Sequence, residues 1–223
     1  IVMKRRDFLT FKSNTDKIQE IQKDLSDKKT EALSKKEAMH LFGRISFGND
    51  LNIIQQITGK IPDEAIDFLL GKKDDAIVDG YKSLNWLDTQ EEDPLDGLPL
   101  DIRFEIEGIL KSRFRELKDW WLQQMYLENA PFHEKLTLFL STIWCIEFTY
   151  DTQYLLPPPL LYRNNNKLRE NRIGNYKTIA KEMTLDGAML LYQSLNYSTA
   201  KAPNENYMRE LMELFTMGIG NYT

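Results

Sequence analysis

The stretch from Asn204 to Gly220, Asn-Glu-Asn-Tyr-Met-Arg-Glu-Leu-Met-Glu-Leu-Phe-Thr-Met-Gly-Ile-Gly, decides how this chain is read. At 100° per residue, Glu205, Asn206, Arg209, Glu210 and Glu213 share one arc, and Tyr207, Met208, Leu211, Leu214 and Phe215 share the opposite one. The spacing predicts an amphipathic helix with Asn204 as its N-cap and Gly218 as its C-terminal stop. Arg209 stands four residues after Glu205 and four before Glu213, so two carboxylates can hold one guanidinium along a single face. That pattern is either a solvated charge stripe or a pre-organised polar site.

Outward from this segment, helical periodicity recurs and strand alternation does not. Ser34-Lys-Lys-Glu37 reads as a capping box opening a helix over Glu37 to Phe47. A short helix is expected from Asp50 to Thr58 with Gly59 as its stop, and a third from Pro62, a first-turn proline, to near Gly71. From Leu100 to Leu127, Ile102, Ile106, Ile109, Leu110, Phe114, Leu117 and Trp121 fit one long helix, with Trp120 and Trp121 as packing anchors. Phe132 to Phe148 is apolar nearly all round and is expected to be buried on several sides. Pro157-Pro158-Pro159 is expected to form an extended, stiff spacer. Helices are expected to resume from about Leu160 to Met183 and from Asp186 to Leu195. The fold class is all-α, a multi-helix, bundle-like domain.

The expected organisation is a charged arm over 1–33, a short-helix subdomain over 34–87, an acidic loop over 88–101 and a main helical domain over 102–223. Glu91, Glu92, Asp93 and Asp96 in the loop do not have EF-hand spacing. With 29 basic and 34 acidic residues and a net charge of -5, the chain has no basic field to collect nucleic acid. No glycine-rich phosphate loop is present either. A single cysteine, Cys145, and two histidines, His40 and His133, exclude an internal disulfide framework and a Cys/His zinc cluster, and no metal or cofactor is assigned. The longest apolar run, Leu136 to Phe148, is too short to cross a bilayer. Lys4-Arg5-Arg6-Asp7-Phe8-Leu9 resembles a twin-arginine export signal, but the polar stretch from Lys12 to Lys29 stands where an apolar region should follow.

Several blocks, taken in order, carry a family resemblance. They are Glu37-Ala-Met-His-Leu-Phe-Gly-Arg-Ile-Ser-Phe-Gly48, Trp120-Trp-Leu-Gln-Gln-Met125, Glu134-Lys-Leu-Thr-Leu-Phe139, Leu160-Leu-Tyr-Arg163, Gly174-Asn-Tyr176, Met183-Thr-Leu-Asp-Gly-Ala-Met-Leu-Leu-Tyr192 and the Pro203 to Gly218 block. Their succession resembles the bacterial domain-of-unknown-function family 1800, its Bacteroidetes members in particular. The resemblance implies a large helical protein, frequently exported, that travels with a sulfatase-like companion and continues past the last residue here. It implies that this chain is an incomplete N-terminal portion, as Ile1 and Val2 ahead of Met3 also suggest. The resemblance and Arg5-Arg6 together lean toward the bacterial periplasm or cell envelope.

The resemblance also implies a departure. Members carry Trp-His-Asn-His or Trp-His-Gly-His where this chain has Leu140-Ser-Thr-Ile143, so both imidazoles are missing here. His40 and Arg44 match the family's His-Leu-x-x-Arg pattern. They are expected either to share a polar cleft with Glu205, Arg209 and Glu213, or to serve as structural partners, with Arg44 in a buried ion pair. His133 is expected to be an exposed first-turn residue. Two functions follow as expectations. One is a non-catalytic scaffold or partner-binding module. The alternative is an envelope-associated enzyme of hydrolase type, with Glu205, Arg209, Glu210, Glu213, His40 and Arg44 as its candidate site.

Overall fold

The computed structural model describes residues 31–48, 50–71, 84–87, 99–127, 131–146 and 156–222. The twin-arginine-like motif and most of the acidic loop lie outside the described residues. Among the described residues the regular structure is helical, with one isolated antiparallel bridge between Thr199 and Ala202. The chain divides into two compact units, Ile1–Leu70 and Gly71–Thr223.

In the first unit, helices α1 (Lys35–Ile45), α2 (Leu51–Ile57) and α3 (Pro62–Leu70) follow the sequence signals closely. The capping box forms as expected: the Ser34 amide donates to Glu37 Oε2 at 2.9 Å, and the Glu37 amide donates to Ser34 Oγ at 3.3 Å. Asp50 caps α2 by accepting from the Asn52 amide at 2.8 Å. Gly59 ends this segment with φ +84°, a left-handed conformation that a side chain would strain. Its amide bonds the Leu33 carbonyl at 2.8 Å, which ties the entry of α1 to the exit of α2. Ala38, Phe42, Ile54, Ile57, Ala65 and Leu69 form the core of this unit.

The second unit is built on α4 (Leu100–Leu127), a helix of 28 residues. It continues through α5 (Pro131–Ile143), α6 (Pro158–Asn171), α7 (Tyr176–Thr184) and α8 (Gly187–Tyr192). A 3₁₀ turn (Leu195–Tyr197) then leads to α9 (Glu205–Glu210) and a π-helical turn (Leu211–Thr216). Leu140, Trp144, Leu168, Ile179, Met183, Met189, Tyr207 and Phe215 make the main core. Trp144 stacks on Phe215 with centroids 4.7 Å apart and planes 12° from parallel.

Three expectations are corrected. The proline run is not a spacer: Pro157 is the N-cap of α6, and the helix begins at Pro158. Prolines suit the first turn of a helix because the amides they lack would have had no acceptor there. Second, α5 closes at Ile143, short of the expected Phe148; it buries His133, Glu134, Thr137 and Leu140 while Phe139 is 57% exposed. Third, the terminal segment is helical and capped by Asn204, whose Oδ1 accepts from the Tyr207 amide at 3.0 Å, but its second half is π-helical. In a wider turn each residue advances by less than 100°, so the apolar arc drifts. Tyr207 and Phe215 are buried and Leu211 is half-buried, whereas Met208 and Leu214 face solvent.

Burial raises the Tyr207 hydroxyl above its ordinary pKa of 10.0, and its bond to Thr184 Oγ1 at 2.9 Å works in the other direction. A folded pKa above the unfolded one means that the native state holds the proton more tightly. The stabilisation is complete below about pH 10 and declines as pH rises past it. Urea midpoints measured from pH 8 to 11 should therefore fall above about pH 10 in the wild type. Tyr207→Phe should remove part of that alkaline slope, and an identical slope in both proteins would contradict the assignment.

Candidate functional site

The candidates on the terminal helix do not assemble into a clamp. Glu205 and Arg209 are exposed, Glu210 and Glu213 are half-buried, and among the described residues no ion pair joins Arg209 to any of these acids. Glu213 instead accepts a hydrogen bond from the Tyr222 hydroxyl. That bond raises the Tyr222 pKa above its ordinary value, with desolvation and the Glu213 charge adding to it and Arg209 opposing. His40 and Arg44 belong to the first unit, where both are exposed along a shallow groove that also includes Glu37, Leu41 and Ile66. Arg44 is therefore not a buried brace.

The buried polar chemistry lies elsewhere, where α4, α5 and α6 meet. On α5, His133 and Glu134 are 1% and 0% exposed, which reverses the expectation of an exposed His133. Arg169 on α6 and Arg172 at its C-cap are 2% and 5% exposed. Charged side chains are almost never buried this deeply unless paired. The Arg169 guanidinium is bidentate on Glu134, through Nε to Oε1 and through Nη2 to Oε2 at 2.9 Å. Trp121 Nε1 donates to the same Oε2 at 2.7 Å. Arg169 Nη1 reaches Asn166 Oδ1 at 2.5 Å, and the guanidinium lies 5.1 Å over the Trp120 ring. The adjacent tryptophans of α4 thus hold the two halves of one ion pair, Trp121 the acid and Trp120 the base.

The second arginine fixes the histidine. Arg172 Nε donates to His133 Nδ1 at 2.7 Å, and Arg172 Nη1 donates to the Arg169 carbonyl. A guanidinium only donates, so His133 Nδ1 must be the unprotonated nitrogen and the imidazole carries its proton on Nε2. Further along α6, Asn164 Nδ2 donates to Asp186 Oδ1 at 2.8 Å, and Lys167 Nζ lies 3.4 Å from Asp186 Oδ2. Asp186, 2% exposed, is also the N-cap of α8 and accepts from the Ala188 and Met189 amides at 3.1 Å each. One helix, α6, is thereby fastened to α4 and α5 by the Glu134 cluster and to α8 by Asp186.

Both Glu134 oxygens are occupied and no part of the side chain is exposed, so no dissolved substrate reaches it. The cluster braces helices; it does not present an acid. The positions where the resemblance implies histidines hold a buried Leu140, which packs with Trp144 in the core, and a half-buried Ser141 and Ile143 around an exposed Thr142. Among the described residues no group of three or more His, Cys, Asp or Glu side chains converges to hold a metal ion. No described helix is long and apolar enough to cross a membrane.

Compared with known proteins, residues 40–223 match the family described as Protein of unknown function (DUF1800). The chain belongs to the DUF1800 family. That match takes in the His40–Arg44 turn, the Glu134–Arg169 cluster and the terminal helix of this DUF1800 protein. No curated protein and no solved structure matches the chain.

Two signals in the sequence point to the buried cluster. Glu134 opens a helix that is otherwise mostly apolar, and Arg169 and Arg172 are spaced i, i+3 on a helix whose opposite face is polar. Neither signal pairs the acid with the base, because they stand 35 residues apart in sequence.

Proposed function

We propose that this DUF1800 chain works as a helical partner-binding module, and that its partner lies along the outer face of α4. The observation that carries this reading is a stripe on that helix: Leu100, Phe104, Leu122 and Tyr126 are 70%, 65%, 62% and 88% exposed. At 100° per residue they fall on one arc with Gly108, Lys111 and Arg115 between them. The face is apolar at both ends, and at its centre Lys111 is paired with Glu107 at 3.3 Å while Arg115 and Lys118 are exposed and basic. Exposed apolar side chains aligned in this way mark interaction surfaces, and a helix laid alongside would bury them as two i, i+4 pairs, Leu100 with Phe104 and Leu122 with Tyr126.

Charge complementarity selects the occupant: an amphipathic helix with acidic residues at its centre and leucine-like residues at its ends. The sulfatase-like companion implied by the family resemblance is the first natural protein to examine for such a helix. The braced core of α4, α5 and α6 suits this role, since it holds the presenting helix rigid without offering a reactive group.

The test is direct. A synthetic helix of this design, with glutamates at its centre, should bind the purified chain, and a version with lysines there should bind at least about tenfold more weakly. Phe104→Asp with Leu122→Asp should abolish binding while leaving the melting temperature within about 2 °C, because both side chains already face water. Equal binding by the two peptides would sink the assignment. A measurable turnover lost in Arg209→Ala would favour the envelope-hydrolase alternative instead.

A further inference from the structure

A cavity of about 290 Å³ opens in the second unit beside the buried cluster. Trp120 and Trp121 of α4, Trp144, and Leu168 of α6 give it aromatic and aliphatic walls, and Ser141, Asn164, Asn165 and Cys145 also line it. The exposed Lys118, its ammonium 4.9 Å over the Phe114 ring, stands at its edge. Asn165 is only 8% exposed, yet its Oδ1 has no hydrogen-bond partner, and the buried Nε1 of Trp144, which lines the same cavity, has none either. A buried carbonyl oxygen without a donor is rare in folded proteins and costs stability while it stays that way. Its neighbours are already committed: Asn164 to Asp186, and Asn166 to Arg169. Arg169 covers the Trp120 ring and is itself sealed from solvent, so the cluster leaves its charge outside the cavity.

We infer that this cavity is a binding site for a small, neutral, planar ring compound carrying one N–H or O–H donor, of the size and chemistry of an indole or a phenol. The volume fits: an apolar cavity of about 150 Å³ takes up benzene, so about twice that space admits a bicyclic ring. The tryptophan walls supply offset and edge-to-face contacts for such a ring. The Asn165 amide supplies the polar group that fixes its orientation. Mostly apolar walls with a few placed polar groups, here the Asn165 amide and the Trp144 Nε1, are the usual make-up of a small-ligand pocket, and a hydroxyl or indole edge can meet them. The cavity does not include Leu100, Phe104, Leu122 or Tyr126 of the outer face of α4, so either assignment can fail without the other.

Indole is the probe, titrated against the intact chain by calorimetry and by ligand-observed NMR. Saturable one-to-one binding is expected. Asn165→Leu should stay folded, since the amide it removes bonds nothing, and should bind indole about threefold to tenfold more weakly, the factor carried by one neutral hydrogen bond. Naphthalene, which has no donor, should not distinguish the variant from the wild type. The sole cysteine gives a second readout, because Cys145 is exposed and lines the cavity. Saturating indole should slow its reaction with Ellman's reagent several-fold. Failure of indole to saturate at millimolar concentration, an unchanged indole affinity in Asn165→Leu, or a Cys145 rate indifferent to indole would each overturn the assignment.

Discussion

Replacing Glu134 with glutamine is expected to cost this protein about 3–5 kcal/mol, enough to leave the second unit largely unfolded near physiological temperature. The magnitude follows from what remains behind. Arg169, 2% exposed, would keep its charge in a dry site with a neutral amide as its only near partner from α5. Trp121 Nε1, which now donates to Glu134 Oε2 at 2.7 Å, would compete with Arg169 for a single amide oxygen. Chemical denaturation of the wild type, Glu134→Gln, Arg169→Met and the double variant Glu134→Gln/Arg169→Met forms a cycle that separates these effects. Both single variants should be strongly destabilised. The double variant should recover much of the loss, because a buried ion pair removed entire costs far less than one broken in half. Independent, additive losses would show that the two side chains do not act as a pair.

Trp144→Ala is expected to have an effect of similar size, about 3–5 kcal/mol, by a different route. Trp144 is 1% exposed and joins the end of α5 to the terminal π turn through its stack on Phe215. Truncation would leave a void against Leu168, Ile179 and Met189, and a close-packed core collapses only partly into such a space. The terminal segment has a second fastening, the Tyr176 hydroxyl donating to the Phe215 carbonyl, but Tyr176 is itself within 6.3 Å of Trp144. Trp144→Ala should therefore lower the denaturation midpoint and also expose the 205–217 segment to limited proteolysis before the rest of the unit unfolds. Trp144→Phe should restore most of both, since a smaller ring still stacks on Phe215.

Helix existence and capping were legible in this sequence because they rest on local chemistry. Ser34 with Glu37, Asp50, Pro62, Asn204 and the long 100–127 periodicity each state their structure within a few residues of themselves. The proline run was misread for an equally local reason: three prolines in isolation favour an extended chain, and only the helix that follows converts them into its first turn. The π turn was illegible, since nothing in Leu211–Thr216 departs from ordinary helical spacing. The buried cluster was the largest omission. Its acid and bases are ordinary surface residues by type, and Glu134, His133, Arg169 and Arg172 become a cluster only when tertiary packing places α5 against α6. The sequence drew attention instead to Glu205, Arg209, Glu210 and Glu213, where charges crowd along one stretch of chain and the structure leaves them largely in water.

The double fastening of α6 carries a consequence for how the second unit breathes. Because Arg169 ties that helix to α5 and Asn164 ties it to α8, neither neighbour can peel away without stranding a buried charge, Arg169 and Glu134 in the one case and Asp186 in the other. Fluctuations that would fray an ordinary bundle one helix at a time are thus coupled into a single all-or-none opening. The amides of α5, α6 and α8 should exchange with solvent deuterium as one slow group.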